Sequence, residues 1–306
     1  MDVRELRLAR PDGQPLPAYT PGAHVDLHLA PGLVRQYSLC GPAQERGFYT
    51  VAVKLEQNSR GGSRAVHESL HAGATLEISE PRNNFPFHAC APHSVLVAGG
   101  IGITPLLCMA RELRNVHRPF ALHYFARSQG HAAFAQQLDS PEWRDAAHLH
   151  FGLDLSGTAE ALERALADPV AGAQLYLCGP ASFMDLVRTI AAKRGWPTGC
   201  VNLEYFKAGE TASAAEADRQ IQVTLARRGD RVVVPAGVPI IDALRRAGVE
   251  IDTSCEQGVC GTCVTRVLDG IPDHRDMFLT EQEKTDGSCM AVCVSRARTG
   301  HLVLDL

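Results

Sequence analysis

The stretch Cys255-Glu-Gln-Gly-Val-Cys260-Gly-Thr-Cys263 gathers three thiols into nine residues, and a fourth follows at Cys293 within Met290-Ala-Val-Cys-Val-Ser-Arg296. This is the spacing of a plant-type 2Fe-2S centre. Two irons sharing two sulfides need four thiolates, and three of them can converge from one tightly curled loop. Gly258 and Gly261 permit the curl, because glycine reaches backbone angles closed to other residues and lets successive N–H groups turn toward an anionic cluster. Centres of this type sit at roughly −400 mV, which suits them to passing single electrons.

Plainer uses of the thiols fit less well. Structural zinc takes paired Cys-x2-Cys units, and only Cys260 and Cys263 form one. A disulfide scaffold needs a higher density than ten cysteines in 306 residues, and no signal-peptide pattern precedes them. Cys289 competes with Cys293 for the fourth position. Cys293 is preferred because it lies in the apolar run 290–294, which reads as a buried strand, and because its spacing fits the plant pattern better. The other five, Cys40, Cys90, Cys108, Cys178 and Cys200, read as small buried hydrophobes.

A chain of 306 residues, 45% hydrophobic and 21% charged, has the composition of a soluble globular protein of two or three domains. Its net charge of −4 argues against a nucleic-acid partner. No apolar run approaches the roughly 20 residues of a membrane-spanning helix, and the N-terminus lacks a secretory pattern, so a cytoplasmic location is expected. The strand-like run 3–8 begins almost at once, which points to a short leading segment ahead of Met1.

Residues 1–92 carry short alternating runs at 24–29, 34–39, 49–55 and 75–79 between Pro and Gly turns, the pattern of an antiparallel β-barrel. One helix interrupts them, opening on Gly61-Gly-Ser63, where free N–H groups suit either a phosphate or an ordinary N-cap. Across 93–207 apolar strands (94–98, 120–126, 148–153, 174–178, 201–203) alternate with helices (104–114, 132–138, 159–167, 181–194). That rhythm predicts a doubly wound parallel α/β sheet with its ligand at the strand carboxyl ends. Two of those ends are glycine-rich: Gly99-Gly-Ile-Gly-Ile-Thr-Pro105, which is not the G-x-G-x-x-G register, and Cys178-Gly-Pro180. Residues 208–218 read as a linker. The remainder, 219–306, reads as a small α+β ferredoxin: strands at 221–225 and 231–234, a helix at 240–246, the cysteine loop, a strand at 264–268, a short helix near Glu281, the Cys293 strand and a last strand at 301–304. Between 250 and 286 stand nine acids against Arg266, Arg275 and Lys284, leaving six net negative charges around the cluster loop.

These motifs together resemble the phthalate dioxygenase reductase family, vanillate demethylase reductases included, over essentially the whole chain. The matches are Arg35-Gln-Tyr-Ser38, Gly61-Gly-Ser63, Gly99 to Pro105, Cys178-Gly-Pro180 and the cysteine motif ending in Ser295-Arg296, in the family's order. The resemblance implies an FMN barrel, an NADH-binding domain and a C-terminal 2Fe-2S ferredoxin of the β-grasp type. It implies that Arg35, Gly61, Gly62 and Ser63 meet the FMN phosphate, that Tyr37, Ala52, Val53 and Lys54 border the flavin, and that Ser38 lies near N5. Gly100, Gly102 and Thr104 would shape the nicotinamide pocket, with Cys178, Gly179 and Pro180 opposite. Ser38, Thr104 and Cys178 would thus stand nearest the reaction. Arg127 and Ser128 would meet the adenosine ribose, and Phe206 would shield the flavin. The metal ligands would be Cys255, Cys260, Cys263 and Cys293.

The implied activity is an NADH-dependent flavin iron–sulfur oxidoreductase that feeds electrons to a separate Rieske-type aromatic oxygenase or demethylase. No Cys-x-His pair occurs, so a Rieske centre must lie on another polypeptide. A monomer is expected, with neither nucleic acid nor membrane as partner. The alternatives are a reductase for a haem monooxygenase or another acceptor, and a non-enzymatic electron carrier with a decayed flavin module.

Overall fold

The computed structural model describes residues 2–30, 33–57, 61–207 and 219–306. The expected linker, 208–218, lies outside the described residues. The chain divides into two compact units, Met1–Phe206 and Lys207–Leu306. No described helix is long and apolar enough to cross a membrane.

The first unit opens with β1 (Val3–Leu8), β2 (Ala23–Ala30), β3 (Leu33–Ser38), β4 (Tyr49–Lys54), α1 (Gly62–Glu68), β5 (Glu77–Ile78) and β6 (Arg82–Asn83). All pairings are antiparallel: β2 with β3, β5 and β6, and β1 with β4. A bridge between Leu39 and Val51 joins the two sheets. Both sheets turn the apolar half of their alternation onto one core of Leu16, Val25, Leu27, Leu39, Tyr49 and Val51. Arg4 fastens α1 to β1 by donating to the carbonyls of Val66 (2.8 Å) and Leu70 (2.9 Å).

The same unit continues with β7 (Ser94–Gly99), α2 (Ile103–Asn115), β8 (Phe120–Ala126), α3 (Ala135–Leu138), β9 (Ala147–Phe151), α4 (Leu155–Ala165), β10 (Gln174–Cys178), α5 (Ala181–Lys193) and β11 (Val201–Glu204). The five strands form a parallel sheet in the order β11-β10-β7-β8-β9. Along β7, Val95 and Val97 belong to one core and Leu96 and Ala98 to the other. A strand buried on both faces has no polar alternation to show, which is why it reads as a continuous apolar run. The strand order reverses beside β7, so a crevice opens between the carboxyl ends of β7 and β10.

Two helices differ from expectation. α4 begins at Leu155, four residues ahead of the expected 159, because the Asp154 carboxylate accepts from the Gly157 N–H at 2.7 Å and caps the helix there. α3 covers only Ala135–Leu138, since Phe134 takes a left-handed conformation and stops the helix from starting at 132.

The second unit comprises β12 (Ile221–Leu225), β13 (Arg231–Val234), α6 (Ile240–Arg246), β14 (Val264–Asp269), β15 (Pro272–Asp273), α7 (Glu281–Asp286), β16 (Cys289–Ala291), β17 (Arg296–Ala297) and β18 (His301–Leu304). Its main sheet runs β13-β12-β18-β14-β16, with β12 and β18 parallel and the other neighbours antiparallel. α6 lays Ile240, Ile241 and Leu244 on the sheet. The apolar run expected to be a strand through Cys293 is a strand only as far as Ala291, and Cys293 stands in the turn beyond it. Buried Arg296 donates to the carbonyls of Arg219 (2.7 Å) and Pro235 (3.3 Å) and to that of Val238, so the charge that ends the cysteine motif is a staple between chain segments.

Gly22 has φ +93°, and a Cβ there would lie 2.1 Å from the Phe85 carbonyl oxygen. Gly22→Ala is expected to destabilise the first unit by about 2 to 4 kcal/mol through steric overlap and left-handed strain. Denaturation followed by tryptophan fluorescence reads this directly, because Trp143 and Trp196 both lie in that unit.

Candidate functional site

The crevice in the first unit is made by backbone touching backbone. After β7, Gly100–Gly102 form one 3-10 turn and α2 starts at Ile103. A Cβ on Gly102 would sit 2.2 Å from the Cys178 carbonyl oxygen and 2.7 Å from the Gly179 nitrogen. A Cβ on Gly179 would sit 3.1 Å from the Cα of Gly99, and both positions face the ring of Phe183 at the start of α5. Glycines at these positions bring the two strand ends together, as their separate motifs had anticipated. Gly100 itself has φ +56° and open space around its Cα.

Of the three residues expected nearest the reaction, two converge. Ser38 is buried at the end of β3 and its hydroxyl donates to the Glu204 carboxyl at 3.5 Å. Cys178 is fully buried and pairs in register with Glu204 across β10 and β11. Burial pushes the Cys178 thiol well above the usual thiol range, and the Glu204 charge pushes the same way, so the group is a neutral thiol. Thr104 is buried too, but its hydroxyl is turned back onto the Ile101 carbonyl at 3.0 Å. Sequence reasoning passed over Glu204. The residue is half-buried as a whole while its carboxyl is enclosed, and burial raises that carboxyl to about 8 against the lowering effect of the Ser38 hydroxyl. A lone Glu closing an apolar strand that ends inside the protein is the signal that could have found it.

Alternation along β3 places Arg35 and Tyr37 on one face and Ser38 on the other. Arg35 crosses Gly62 so closely that a Cβ on Gly62 would lie 2.5 Å from the Arg35 Cγ. Gly61, at φ +95°, precedes α1 without any side-chain cap, and the first turn of α1 carries no acid. An arginine laid across an uncapped helix start fits an anionic group such as a phosphate. Ser63 accepts from the Glu56 N–H at 3.1 Å. Burial pushes the Tyr37 phenol up to about 12, with Arg35 pulling the other way. Ala52 and Val53 are buried in β4, and Lys54 pairs with Glu56 at 2.7 Å. Arg127 is exposed past β8, Ser128 meets His131 at 2.8 Å, Pro180 precedes α5, and Phe206 packs against the core shared by β7 and α2.

In the second unit the four expected thiols lie together as two pairs. Cys255 acts on Cys260 and Cys263 on Cys293, and in each pair the interaction raises one thiol (Cys255, Cys293) and lowers its partner (Cys260, Cys263). The Gln257 N–H donates to the Cys255 sulfur at 3.3 Å. Backbone groups of Val259 and Gly258 also act on the sulfurs of Cys255 and Cys293. Among the described residues no three His, Cys, Asp or Glu side chains are arranged to hold a single metal ion. Two thiol pairs under backbone N–H groups fit a binuclear centre with two ligands on each iron. Cys289 is outside the group, on β16, where burial and the acids Glu283, Asp276 and Asp286 raise its thiol. Of the five cysteines expected to be buried hydrophobes, Cys40, Cys108 and Cys178 are buried, Cys90 is exposed and Cys200 is half-buried, both of these lying in connecting segments.

Because the folded carboxyl of Glu204 titrates near 8, above the unfolded value of 4.5, the folded state holds an extra proton between those limits. Stability should therefore fall as pH climbs through this window, by up to about 1.4 kcal/mol per pH unit, and level off above it. Glu204→Gln should flatten that slope and be the more stable protein at pH 8.5. Melting midpoints of the two proteins from pH 5 to 9 check this, and parallel curves would refute it.

Comparison with known proteins agrees with both units. The sequence pattern of the 2Fe-2S iron-sulfur cluster binding domain matches residues 223–298. That of the dimethylamine monooxygenase subunit DmmA-like N-terminal domain matches residues 79–201. A vanillate O-demethylase oxidoreductase of Pseudomonas sp. is 45% identical over 100% of this chain and 96% of its own length. A tetrachlorobenzoquinone reductase of Sphingobium chlorophenolicum is 41% identical over 100% of this chain and 94% of its own. The solved structure of phthalate dioxygenase reductase, described as modular for electron transfer from pyridine nucleotides to 2Fe-2S, superposes with a TM-score of 0.81 at 40% identity, covering 100% of this chain and 94% of that one. Full-length identity at this level, with the paired thiols and the glycine crevice in their expected order, makes this chain a member of the phthalate dioxygenase reductase and vanillate demethylase reductase family of flavin iron–sulfur oxidoreductases.

Proposed function

We propose that the chain is an NADH-dependent reductase that supplies a separate Rieske-type oxygenase, through FMN held by residues 1–92, a nucleotide site in 93–207 and a 2Fe-2S centre in 219–306. The observation that carries the reading is the gathering of Cys255, Cys260, Cys263 and Cys293, at plant-type spacing, within the stretch that matches the 2Fe-2S domain. When bound, FMN takes two electrons together as hydride and the 2Fe-2S centre passes electrons one at a time.

The chain's own contribution is geometry and exclusion of water. Arg35, Gly61, Gly62 and Ser63 bind the FMN phosphate, while Tyr37, Ala52, Val53 and Lys54 border the ring. Ser38 offers a hydroxyl whose direction Glu204 fixes. Gly102 and Gly179 let the two strand ends meet, and the open space at Gly100, with Thr104, Pro180 and neutral Cys178 near by, leaves room for a flat nicotinamide. Arg127 and Ser128 stand where the adenosine ribose ends, and Phe206 covers the flavin until the nicotinamide arrives. Hydride transfer needs donor and acceptor atoms at about 3 to 3.5 Å, which such a slot enforces without a protein acid or base. A second reading, a different acceptor, is favoured for a quinone by the relative described as a tetrachlorobenzoquinone reductase and for a haem monooxygenase by the likeness to a self-sufficient cytochrome P450 monooxygenase.

Supplying the purified protein with NADH and a panel of Rieske-type oxygenases and aromatic acids should give NADH-coupled product. Quinone reduction with no oxygenase turnover would favour the second reading. Flavin released by heat should chromatograph as FMN, since among the described residues of the barrel no aromatic insertion offers itself to an adenine, and kcat/KM should favour NADH. A preference for NADPH would show that Arg127, which no acid neighbours in sequence, recruits a 2′-phosphate.

Cys293→Ser should lose the brown cluster colour yet keep NADH-dependent ferricyanide reduction, which needs only the flavin, while reduction of a protein acceptor collapses. Cys289→Ser should keep all three. Cluster loss in Cys289→Ser with retention in Cys293→Ser would reverse the ligand assignment.

A further inference from the structure

Three imidazoles stand side by side on the parallel sheet of the first unit, and none of them belongs to a motif used above. His123 comes from β8, while His148 and His150 come from β9, the edge strand. The register sets His123 beside His148 and Phe125 beside His150, and alternation turns all four toward the same face. That face is the α4 side, where Phe125 packs with Ala161 and Leu162, whereas Tyr124 and Leu149 turn the other way into the core of α2. His148 is exposed, and His123 and His150 are half-buried.

The rings hold one another in place. His123 stacks on His148 with centroids 4.7 Å apart, and Phe125 stacks on His150 at 4.3 Å. His123 and His150 lie within 16° of a common orientation and bring Nδ1 of the first to 3.2 Å from Nε2 of the second. As plain packing, this is two histidines sharing one hydrogen bond through one proton. The same spacing is also the bite of a chelate. Metal–nitrogen bonds of roughly 2.0–2.1 Å, drawn from two nitrogens that far apart, meet at about 100°, close to the tetrahedral angle. A cation can take the place of the shared proton if each ring turns about its soft terminal torsion and carries its N–H on the far nitrogen. Adjacent paired strands and the stacked rings fix everything else, so the pair is preorganised.

The surroundings select the kind of cation. Burial, with the neighbouring imidazoles, holds His123 down to about 3, and burial lowers His150 as well, with His148 and Arg164 of α4 adding to it. Neutral rings offer lone pairs and no charge, and the Arg164 guanidinium discourages any ion held by charge alone. Zinc, nickel and copper bind through imidazole nitrogen, whereas magnesium and calcium need oxygen ligands. Among the described residues no three His, Cys, Asp or Glu side chains are arranged around one ion, so two protein ligands are what the fold supplies.

We propose that His123 Nδ1 and His150 Nε2 form a two-histidine site for a zinc-class divalent cation, with water filling its remaining positions. The bound ion clamps the edge strand β9 to β8, just ahead of the turn in which the Gly152 N–H donates to the Ala126 carbonyl at 3.1 Å.

The test is calorimetric titration of the full, cofactor-loaded, oxidised chain with zinc chloride, and with magnesium chloride in parallel. Wild type should bind one zinc ion per chain and no magnesium, and saturating zinc should raise the melting midpoint of the first unit by about 3 °C. His123→Gln and His150→Gln should each lose the ion and the rise in melting. His148→Gln should keep both, since its ring supplies stacking and not a nitrogen of the pair. Phe125→Leu removes the ring stacked on His150 but no ligand, so it should still bind zinc even where the sheet is loosened. Copper(II) paramagnetic resonance reads the donors directly, and splitting by two imidazole nitrogens is expected. Sulfur donors in that spectrum, or zinc retained when His123 and His150 are both replaced by Gln, would place the ion elsewhere and overturn the proposal. It is equally overturned if wild type takes zinc no better than magnesium, if Phe125→Leu loses zinc along with the pair variants, or if His148→Gln alone loses the ion.

Discussion

Close approach of bare backbone governs the first unit. Where β7 and β10 end, the carbonyl of Cys178 leaves no room for a side chain at Gly102, and the strand ends meet because nothing stands between them. The crevice is thus a by-product of packing two strand termini closer than side chains allow. The expected nicotinamide contacts inherit their position from that approach, since α2 and α5 both start from it. Phe183 closes the same contact from the side, its ring against both Gly99 and Gly179.

The cysteine loop solves a related problem by other means. Gly258 and Gly261 take φ of +73° and +78°, as a curl around an anionic centre demands, but Glu256 does so as well at +51°. A non-glycine residue there stores strain, and the ion pair with Arg245 of α6 holds it in place. Arg245 also reaches Thr253 at 2.8 Å, so one helix terminus sets the entry of the loop. The loop is therefore shaped from outside by α6 and from beneath by the turn around Asp276, before any metal enters.

Much of this was legible in the sequence because each element carries its own punctuation. Glycine pairs at strand ends, Pro after them and thiols at fixed spacing are local signals, and they located the crevice, the uncapped start of α1 and the four clustered thiols. What escaped was set by partners distant in sequence. Glu204 becomes notable only when β11 lands beside β10 and brings it to Ser38, 166 residues away. The turn holding Cys293 read as a strand because buried turns and buried strands are equally apolar, and only the break in pairing after Ala291 separates them. The histidine pair escaped because His123 and His150 stand 27 residues apart and meet only when β8 and β9 lie side by side.

Arg296 gives the second unit an order of assembly. Its guanidinium gathers carbonyls from Arg219, Pro235 and Val238, which are the first segments of the unit to be made, and it stands three residues beyond Cys293, the last of the four thiols to be made. Three of the expected ligands are therefore made about thirty residues ahead of the fourth. β18 is made later still and pairs with both β12 and β14, so the sheet can close only after all four thiols are in the chain. A chain cut short ahead of residue 301 would therefore carry all four thiols and lack the middle strand of the sheet beneath them.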